Sequence, residues 1–291
     1  MSKSSILFIV NPISGGKNKL RIPGLIDTYL DQAKYDFEYK VTEYVGHAAE
    51  IADSYCGNYD LVVAVGGDGT INEVASTLVG RDKAFGIIPV GSGNGLARFL
   101  NIPMNTVEAI NVINNGYVKK IDTASLNGKR FFNMAGMGFD AHISSIFAGD
   151  KSRGLTGYVK LGLREILKYK PRNYQIVIDG QHYVREAVMI SIANSSQYGN
   201  NVHIAPEASI TDGLLDVCIV KDLSLYKLPL LAYQMLIPTT SNLVEVLKGR
   251  RISISRSEDA SIHIDGEPYV MGKQLDIEVN PLSLNIITPQ S

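Results

Sequence analysis

The fold of this chain is decided by one stretch, which reads Leu61-Val62-Val63-Ala64-Val65-Gly66-Gly67-Asp68-Gly69-Thr70-Ile71-Asn72-Glu73-Val74. Its first five residues are apolar and mostly β-branched, which predicts a strand buried on both faces. The glycines around the aspartate predict a sharp turn, because glycine permits a positive φ and lets a ligand approach bare backbone. Thr70 and Glu73 have the spacing of a capping box, which predicts a helix that begins at once and runs to about residue 78.

A strand, a glycine turn and a helix N-terminus together favour anion binding. The first N–H groups of a helix have no partner within it, so they can hold an anion, and a phosphate group is the expected ligand. Asp68 lies in the turn, where it could hold Mg²⁺ bound to that phosphate, or a substrate hydroxyl. On spacing alone, a generic glycine turn without a ligand remains the alternative.

Size and composition narrow the class of protein. The chain has 291 residues, enough for two domains, and its net charge of −1 argues against a nucleic-acid partner. Two cysteines give no disulfide framework and no paired metal-ligand spacing. No signal peptide is predicted, and the longest later apolar run, residues 228–237, is too short to span a bilayer. We expect a cytoplasmic protein whose membrane contact, if any, is peripheral at the inner surface.

The first part of the chain alternates strands and helices. Strands are predicted at residues 6–10, 37–42, 61–65 and 84–90, and helices at residues 23–33, 47–55, 70–78 and 105–114. This alternation indicates a parallel sheet in an α/β domain. Glycine-rich loops follow three of the strands, at residues 11–17, 66–69 and 91–95. They should lie at the carboxyl ends of the strands, where open α/β sheets bind ligands.

After about residue 121 the pattern changes to repeated short strands. The strand-like runs are residues 130–135, 174–179, 183–193, 214–220, 251–255, 261–265 and 275–279, with helical insertions near residues 139–148, 155–168 and 226–248. Asp179-Gly180 signals a tight hairpin. This pattern predicts a β-sandwich-like second domain. We place the domains at residues 1–123 and 124–291, and the last run, residues 284–288, could return to the first domain.

Several motifs, in this order along the chain, resemble those of the diacylglycerol kinase catalytic domain family, which includes sphingosine kinases and bacterial lipid kinases. They are Asn11-Pro12-Ile13-Ser14-Gly15, Gly66-Gly67-Asp68-Gly69-Thr70, Gly91-Ser92-Gly93-Asn94-Gly95, the segment from Ala205 to Asp216, and Asp265-Gly266-Glu267. The resemblance implies a first domain like that of NAD kinases and phosphofructokinases, which also carry Gly-Gly-Asp turns. It further implies ATP and Mg²⁺ as cofactors.

The resemblance also implies which residues contact the nucleotide. Asn11, Ser14 and Gly15 match the family's first loop, and Thr42 matches a threonine used for ATP. The other residues implied at the nucleotide are Gly66, Gly67, Asp68, Gly69, Thr70, Asn72, Glu73, Ser92 and Asn94. From the residues alone, the first loop could equally be a simple strand-to-helix connection, and Thr42 an ordinary residue at a strand end.

The third glycine loop departs from one family pattern. Many bacterial diacylglycerol kinases carry an aspartate where this chain has Gly95, whereas Gly-Ser-Gly-Asn-x-Leu-Ala is more similar to sphingosine kinases. The change removes one carboxylate that could help to hold Mg²⁺. Ser92 or Asn94 could instead cap the following helix, which is the structural alternative for this loop.

The second domain contributes the remaining candidates. The resemblance implies that Asp212 and the carbonyl groups of Ser209 and Leu214 bind a structural Mg²⁺, and that Glu267 is the general base. Asp140 could cap a helix or contact the substrate's polar headgroup. Without the resemblance, residues 211–213 and 265–267 would be read as ordinary turns.

These observations together predict an ATP- and Mg²⁺-dependent lipid kinase that phosphorylates a lipid hydroxyl, of diacylglycerol or of a sphingoid base. In the family, catalysis takes place in the cleft between the domains, and Asp68 and Glu267 are the predicted catalytic residues. Two alternatives stay open: a kinase of a soluble substrate such as NAD, and a catalytically silent nucleotide-binding regulator. A homodimer is compatible with the sequence, which does not decide the oligomeric state.

Overall fold

The computed structural model describes residues 3–13, 21–148, 162, 164–166, 169–199, 202–222, 230, 237 and 239–290. The chain divides into two compact units. The first comprises Met1–Ile121 together with Leu282–Ser291, and the second comprises Asp122–Pro281.

The first unit alternates parallel strands with helices. Its elements are β1 (Ser4–Val10), α1 (Ile22–Tyr29), β2 (Tyr35–Val41), α2 (His47–Tyr55), β3 (Leu61–Gly66), α3 (Asp68–Leu78), β4 (Ala84–Pro89), α4 (Gly95–Phe99) and α5 (Thr106–Asn115), followed by β5 (Tyr117–Leu126), which continues into the second unit. The parallel strands have the order β2-β1-β3-β4. The last strand of the chain, β18 (Gln274–Thr288), pairs in parallel with β4 near its end, where Ile286 lies opposite Phe85.

Strand β3 is the centre of this sheet. All six of its residues are buried, as its continuous apolar run predicts, and α3 packs its apolar face inward through Ile71, Val74 and Leu78. Helix α3 begins at Asp68, and no side-chain hydrogen bond caps it at Gly67, so the predicted capping box is wrong. The predicted end of α1 near residue 33 is also wrong, because the helix ends at Tyr29 and a turn follows.

The second unit is a sandwich of two sheets. Its elements are β6 (Lys129–Phe131), β7 (Met134–Gly138), α6 (Phe139–Ala148), β8 (Arg172–Ile178), β9 (Gln181–Ala187), β10 (Met189–Ala193), β11 (Gln197–Gly199), β12 (Val202–His203), β13 (Leu215–Val220), β14 (Val244–Gly249), β15 (Arg251–Arg256), β16 (Ala260–Ile264), β17 (Glu267–Met271) and the first part of β18. One sheet has the order β14-β13-β10-β7-β16-β17, and the other contains β18-β15-β8-β9. Apolar residues of both sheets form one buried core, among them Met137, Ile190, Ile254 and Ile277.

Three predicted elements of this unit need correction. The run at residues 183–193 is two strands, because the chain leaves the sheet of β8 and β9 at Val188 and enters the other sheet. The run at residues 130–135 is interrupted because the N–H groups of Phe132 and Asn133 bind a side chain. The predicted helix at residues 226–248 is wrong over its last residues, which form β14. Residues 239–243, which precede β14, are not helical either. Residues 226–229, 231–236 and 238, and most of the insertion at residues 155–168, lie outside the described residues.

Candidate active site

The loops that follow the parallel strands of the first unit begin at one edge of the sheet. Val10 at the end of β1 lies opposite Val65 of β3, and Gly66 lies opposite Pro89 of β4. Parallel strands paired in this register end side by side, so the segments that follow them begin close together. The segment that begins at Asn11 and the two glycine turns therefore share the carboxyl edge of the sheet.

Asp68 joins the two glycine turns. Its Oδ2 accepts a hydrogen bond from the backbone N–H of Asn94 and its Oδ1 accepts one from Gly95, both at 2.8 Å. A Cβ on Gly93 would lie 2.7 Å from Asp68 Oδ2. The second turn can therefore approach the Asp68 carboxylate this closely because residue 93 is a glycine. Burial raises the pKa of Asp68, while its N–H donors and the charge of Arg98 act in the opposite direction. The carboxylate is thus a structural link between the turns.

The two turns also approach each other through their backbones. A Cβ on Gly91 would lie 2.6 Å from the Cα of Gly67 in the other turn. Within the first turn, a Cβ on Gly66 would lie 2.5 Å from the Cβ of Thr70. A side chain at either position would force the backbone apart. No side chain among the described residues caps α3 at Gly67. The first turn of α3 therefore presents backbone N–H groups of the kind that bind phosphate oxygens.

Asn11 and Thr42 directly follow β1 and β2. Asn11 Nδ2 donates a hydrogen bond to Thr70 Oγ1 at 2.9 Å, which ties the first loop to α3. Thr42 is buried, with 5% of its surface exposed. The structure therefore brings Asn11, Thr42 and Thr70 to the carboxyl edge of the sheet, where nucleotide binding is predicted. Ser14 and Gly15, the other predicted members of the first loop, lie outside the described residues.

Glu73, the predicted partner in the capping box, binds a different helix. Its Oε1 accepts the backbone N–H of Gly46 at 2.9 Å, and its Oε2 accepts that of Ala48 at 3.1 Å. Gly46 is the residue that precedes α2, and its own side chain cannot cap that helix. Glu73 thus satisfies N–H groups at the start of α2 and fixes the loop that follows β2.

The remaining predicted nucleotide residues lie on or beside the same turns. Gly69 and Asn72 belong to the first two turns of α3, and Ser92 is exposed in the second glycine turn. Asn94 is buried and has a φ of 52°. Its side chain accepts the N–H of Gly91 at 3.1 Å and donates to that residue's carbonyl at 2.7 Å. It closes the turn, so the alternative that its side chain caps α4 is wrong.

In the second unit, Glu267 begins β17 directly after a two-residue turn. The turn residues Asp265 and Gly266 have φ values of 46° and 88°, as a type I′ hairpin requires. Glu267 lies opposite Ile264 and is exposed. The hairpin therefore presents an exposed carboxylate at the first residue of β17.

The predicted metal ligands lie in a loop that a buried aspartate holds. Asp122 Oδ2 accepts the backbone N–H of Gly213 at 2.7 Å, and Asp122 is fully buried. Asp212 is exposed, and its Oδ1 accepts the N–H of Leu214 at 3.0 Å. This bond uses one of the two carboxylate oxygens. The carbonyl groups of Ser209 and Leu214 belong to the same loop.

Negative charge collects beside this loop. Burial raises the pKa of Asp216, and Asp212 and Glu207 raise it further, while Lys248 at 3.3 Å opposes them. The described residues contain no cluster of three or more His, Cys, Asp or Glu side chains suited to a metal. The predicted set has one carboxylate and two carbonyl oxygens, and oxygen-only ligation in a negative surrounding fits a hard cation such as Mg²⁺.

Asp140, at the start of α6, lies over a buried row of residues. Ser191, Gly136 and His263 lie opposite one another on β10, β7 and β16. Asp140 Oδ2 is 3.3 Å from Ser191 Oγ and 3.1 Å from His263 Nε2, and a Cβ on Gly136 would collide with it. In a hydrolase triad the serine contacts the histidine, and the histidine contacts the aspartate. Here Ser191 and His263 each contact Asp140, so the three residues do not form such a triad. A contact of Asp140 with the substrate stays a prediction.

Sequence reasoning missed Asp122 and Asn194, which are buried in the second unit, and the side-chain bonds of Asp265. Asn194 Nδ2 donates to the carbonyl oxygens of Asp122 and Phe132 at 3.0 and 2.9 Å. The available signal was a polar residue within or directly after an apolar strand-like run, because such a residue is buried only when it is hydrogen-bonded.

Two family profiles match most of the chain. The diacylglycerol kinase catalytic domain profile matches residues 5–126, and the profile of the YegS C-terminal NAD kinase beta sandwich-like domain matches residues 133–288. The chain belongs to the diacylglycerol kinase and YegS-like lipid kinase family. The predicted family and the predicted fold class, an α/β domain followed by a β-sandwich-like domain, are both confirmed.

Relatives of this lipid kinase family cover nearly the whole chain. A YegS-like lipid kinase of Klebsiella pneumoniae (strain 342) is 32% identical over 94% of this chain and 93% of its own length. The diacylglycerol kinase of Bacillus subtilis (strain 168) is 28% identical over 92% of this chain and 90% of its own length. A solved structure from Bacillus anthracis str. Sterne, described as a candidate diacylglycerol kinase, has a TM-score of 0.81 and 26% identity, with 99% and 98% of the two chains covered.

Among the residues that the structure describes, no helix combines the length and the apolar character that crossing a membrane demands.

Proposed function

We propose that this protein is an ATP- and Mg²⁺-dependent lipid kinase that transfers the γ-phosphate of ATP to a lipid hydroxyl, of diacylglycerol or of a sphingoid base. The observation that carries the kinase part is the pair of glycine turns joined by Asp68 at the carboxyl edge of the parallel sheet. The lipid part is supported by the relatives, which are named as diacylglycerol and lipid kinases.

The first unit would bind ATP through its glycine turns. Backbone N–H groups at the start of α3 would hold phosphate oxygens, and the glycines would let the phosphates approach closely. Asn11 and Thr42 would line the same edge. Glu73 would act on the nucleotide through the loop it fixes at Gly46, since its carboxylate is already bound there.

The second unit would supply the acceptor chemistry. As the hydroxyl oxygen of the lipid forms a bond to the γ-phosphorus and ADP leaves, Glu267 would accept the hydroxyl proton. An exposed carboxylate on a defined hairpin suits this role. Asp212 and the carbonyl groups of Ser209 and Leu214 would hold the structural Mg²⁺, which when bound neutralises the negative charge of the loop.

The direct test is phosphate transfer from ATP with Mg²⁺, using diacylglycerol, sphingosine, monoacylglycerol, undecaprenol and NAD as acceptors. We expect transfer to one lipid, and loss of transfer in Glu267→Gln with ATP binding retained. Transfer to NAD alone would replace the lipid proposal with a kinase of a soluble substrate. ATP binding without transfer to any acceptor would favour the nucleotide-binding regulator.

Membrane contact is proposed as peripheral, at the inner surface of a cytoplasmic membrane, because a lipid substrate must be reached there. The basic run Lys248-Gly249-Arg250-Arg251 supports this only in part, since its lysine pairs with buried Asp216. Flotation with anionic liposomes at low salt should recover the protein with the vesicles. Recovery only in the unbound fraction would contradict the proposal. Light scattering on the protein without vesicles would test the homodimer.

A further inference from the structure

Asp265, the residue two positions before Glu267, binds three successive backbone N–H groups. Its Oδ2 accepts that of Phe132 at 3.0 Å, and its Oδ1 accepts those of Asn133 and Met134 at 2.9 and 3.1 Å. Successive N–H groups of this kind form a concave anion site. Here the anion is part of the protein, so the segment before β7 is bound to the tip of another hairpin.

The main chain reinforces the same attachment. The backbone N–H of Asp265 donates to the carbonyl of Met134 at 2.9 Å. Asp265 and Gly266 both have positive φ, so the turn geometry leaves little freedom to the residue that follows. Glu267 is that residue. Its own side chain is exposed, and its backbone pairs with Ile264 across the hairpin whose turn Asp265 anchors.

We propose that Asp265 is a positioning residue that sets the place of Glu267 for proton transfer, an inference that rests on the proposed function of Glu267 as the general base. Both oxygens of Asp265 accept backbone N–H groups, so the residue acts through the hairpin and not on the substrate. A base that is misplaced by about 1 Å can lose about 100-fold in rate, so a loose hairpin should lower turnover.

The chain contains a matched control in the same unit. The hairpin between β8 and β9 has the turn Asp179-Gly180, with φ values of 49° and 85°. Asp179 accepts the N–H groups of Arg250 and Arg251 at 2.9–3.2 Å, and its own N–H donates to the carbonyl of Arg251 at 2.9 Å. This turn thus has the geometry of the Asp265 turn, but it is followed by Gln181 and carries no candidate base.

The experiment compares Asp265→Asn with Asp179→Asn in the full chain. Initial rates are measured on dioleoylglycerol or sphingosine in detergent micelles, whichever the wild type phosphorylates, together with thermal unfolding. We expect similar losses of stability in the two variants. We expect kcat to fall by about 10- to 100-fold in Asp265→Asn with KM for ATP unchanged, and kcat to stay within about twofold in Asp179→Asn.

A double variant separates positioning from a general loss of structure. If Asp265 acts through Glu267, adding Asp265→Asn to Glu267→Gln should lower the residual rate by less than about twofold. Full additivity, or equal kcat losses in Asp265→Asn and Asp179→Asn, would overturn the inference alone. A silent wild type, or an unchanged rate in Glu267→Gln, would overturn the proposed function and the inference with it.

Discussion

The carboxylate of Asp68 accepts the backbone N–H of Gly95 at 2.8 Å. Residue 95 therefore takes part in the candidate active site through its main chain. In this chain the only side-chain carboxylate of the Gly-Gly-Asp turn also binds Asn94. Asp68 therefore keeps the two glycine turns together, and a substitution that weakens its hydrogen bonds should loosen both turns.

Asp68→Asn tests this link. The amide replaces one acceptor oxygen with an N–H₂ group that faces a backbone donor, which should cost about 1–3 kcal/mol of stability. If the turns bind ATP, the Kd for ATP measured by calorimetry should rise about tenfold or more, since about 1.4 kcal/mol corresponds to tenfold.

The control for this variant is at the other end of the same strand. Asp60 precedes β3 and accepts the N–H of Ser5 at 2.8 Å, so Asp60→Asn weakens a charged hydrogen bond of the same kind far along the strand from the turns. We expect it to lower stability with no change in the Kd for ATP. Equal effects of Asp60→Asn and Asp68→Asn on ATP binding would show that the link is not specific to the site.

Gly91→Ala tests the close approach of the two turns. The new Cβ would lie 2.6 Å from the Cα of Gly67 and 2.7 Å from Asn94 Oδ1, so backbone must move. We expect a loss of about 1–3 kcal/mol in stability and weaker ATP binding. Gly24→Ala in α1 has nothing within 4 Å and should stabilise the protein by about 0.5–1 kcal/mol. If Gly91→Ala binds ATP with the wild-type Kd, the proposed binding of phosphate by the two glycine turns is contradicted.

The sequence was informative where local pattern decides the structure. The apolar run before Gly66 predicted a buried strand, and Asp179-Gly180 predicted the hairpin between β8 and β9; the structure contains both. It was misleading where a side chain binds a distant segment. Glu73 has capping-box spacing to Thr70, yet its carboxylate binds Gly46, which lies 27 residues away.

The same limit applies to the second unit. Asp265 was interpreted as a turn former, which is correct for its backbone. Its side chain, however, binds N–H groups 131–133 residues away, and those bonds interrupt a run predicted as one strand. Spacing within a motif contains no information about such partners, because they depend on how the sheets are assembled.

Glu73→Ala distinguishes a cap on α2 from a direct nucleotide contact. Removing the carboxylate leaves the N–H groups of Gly46 and Ala48 without this acceptor, which should cost about 1–2 kcal/mol in urea unfolding. Glu50 lies in the first turn of α2 but is exposed, so Glu50→Ala should cost less. A large rise in KM for ATP in Glu73→Ala without any loss of stability would contradict the capping role.

The lowered pKa of Glu245 makes the stability of the fold depend on pH. It accepts a two-pronged contact from Arg185 at 2.8–3.1 Å and pairs with Lys221 at 2.7 Å, which joins β9 of one sheet to β14 of the other. Hydrogen bonding to Arg185, followed by that to Lys221, lowers the pKa of Glu245 from 4.5 to about 2. Because the pKa is lowered on folding, the carboxylate stabilises the fold above pH 4.5, and this contribution is lost as the pH falls toward 2.

Glu245→Gln should therefore destabilise the protein by about 1–3 kcal/mol at pH 7, toward the lower end because the group is partly exposed to solvent. The difference in free energy of unfolding from the wild type, measured in urea, should shrink steadily as the pH is lowered below 4.5. Glu186→Gln on the exposed side of β9 should stay within about 0.5 kcal/mol of the wild type throughout. A constant difference for Glu245→Gln at every pH would mean that its charge does not hold the two sheets together.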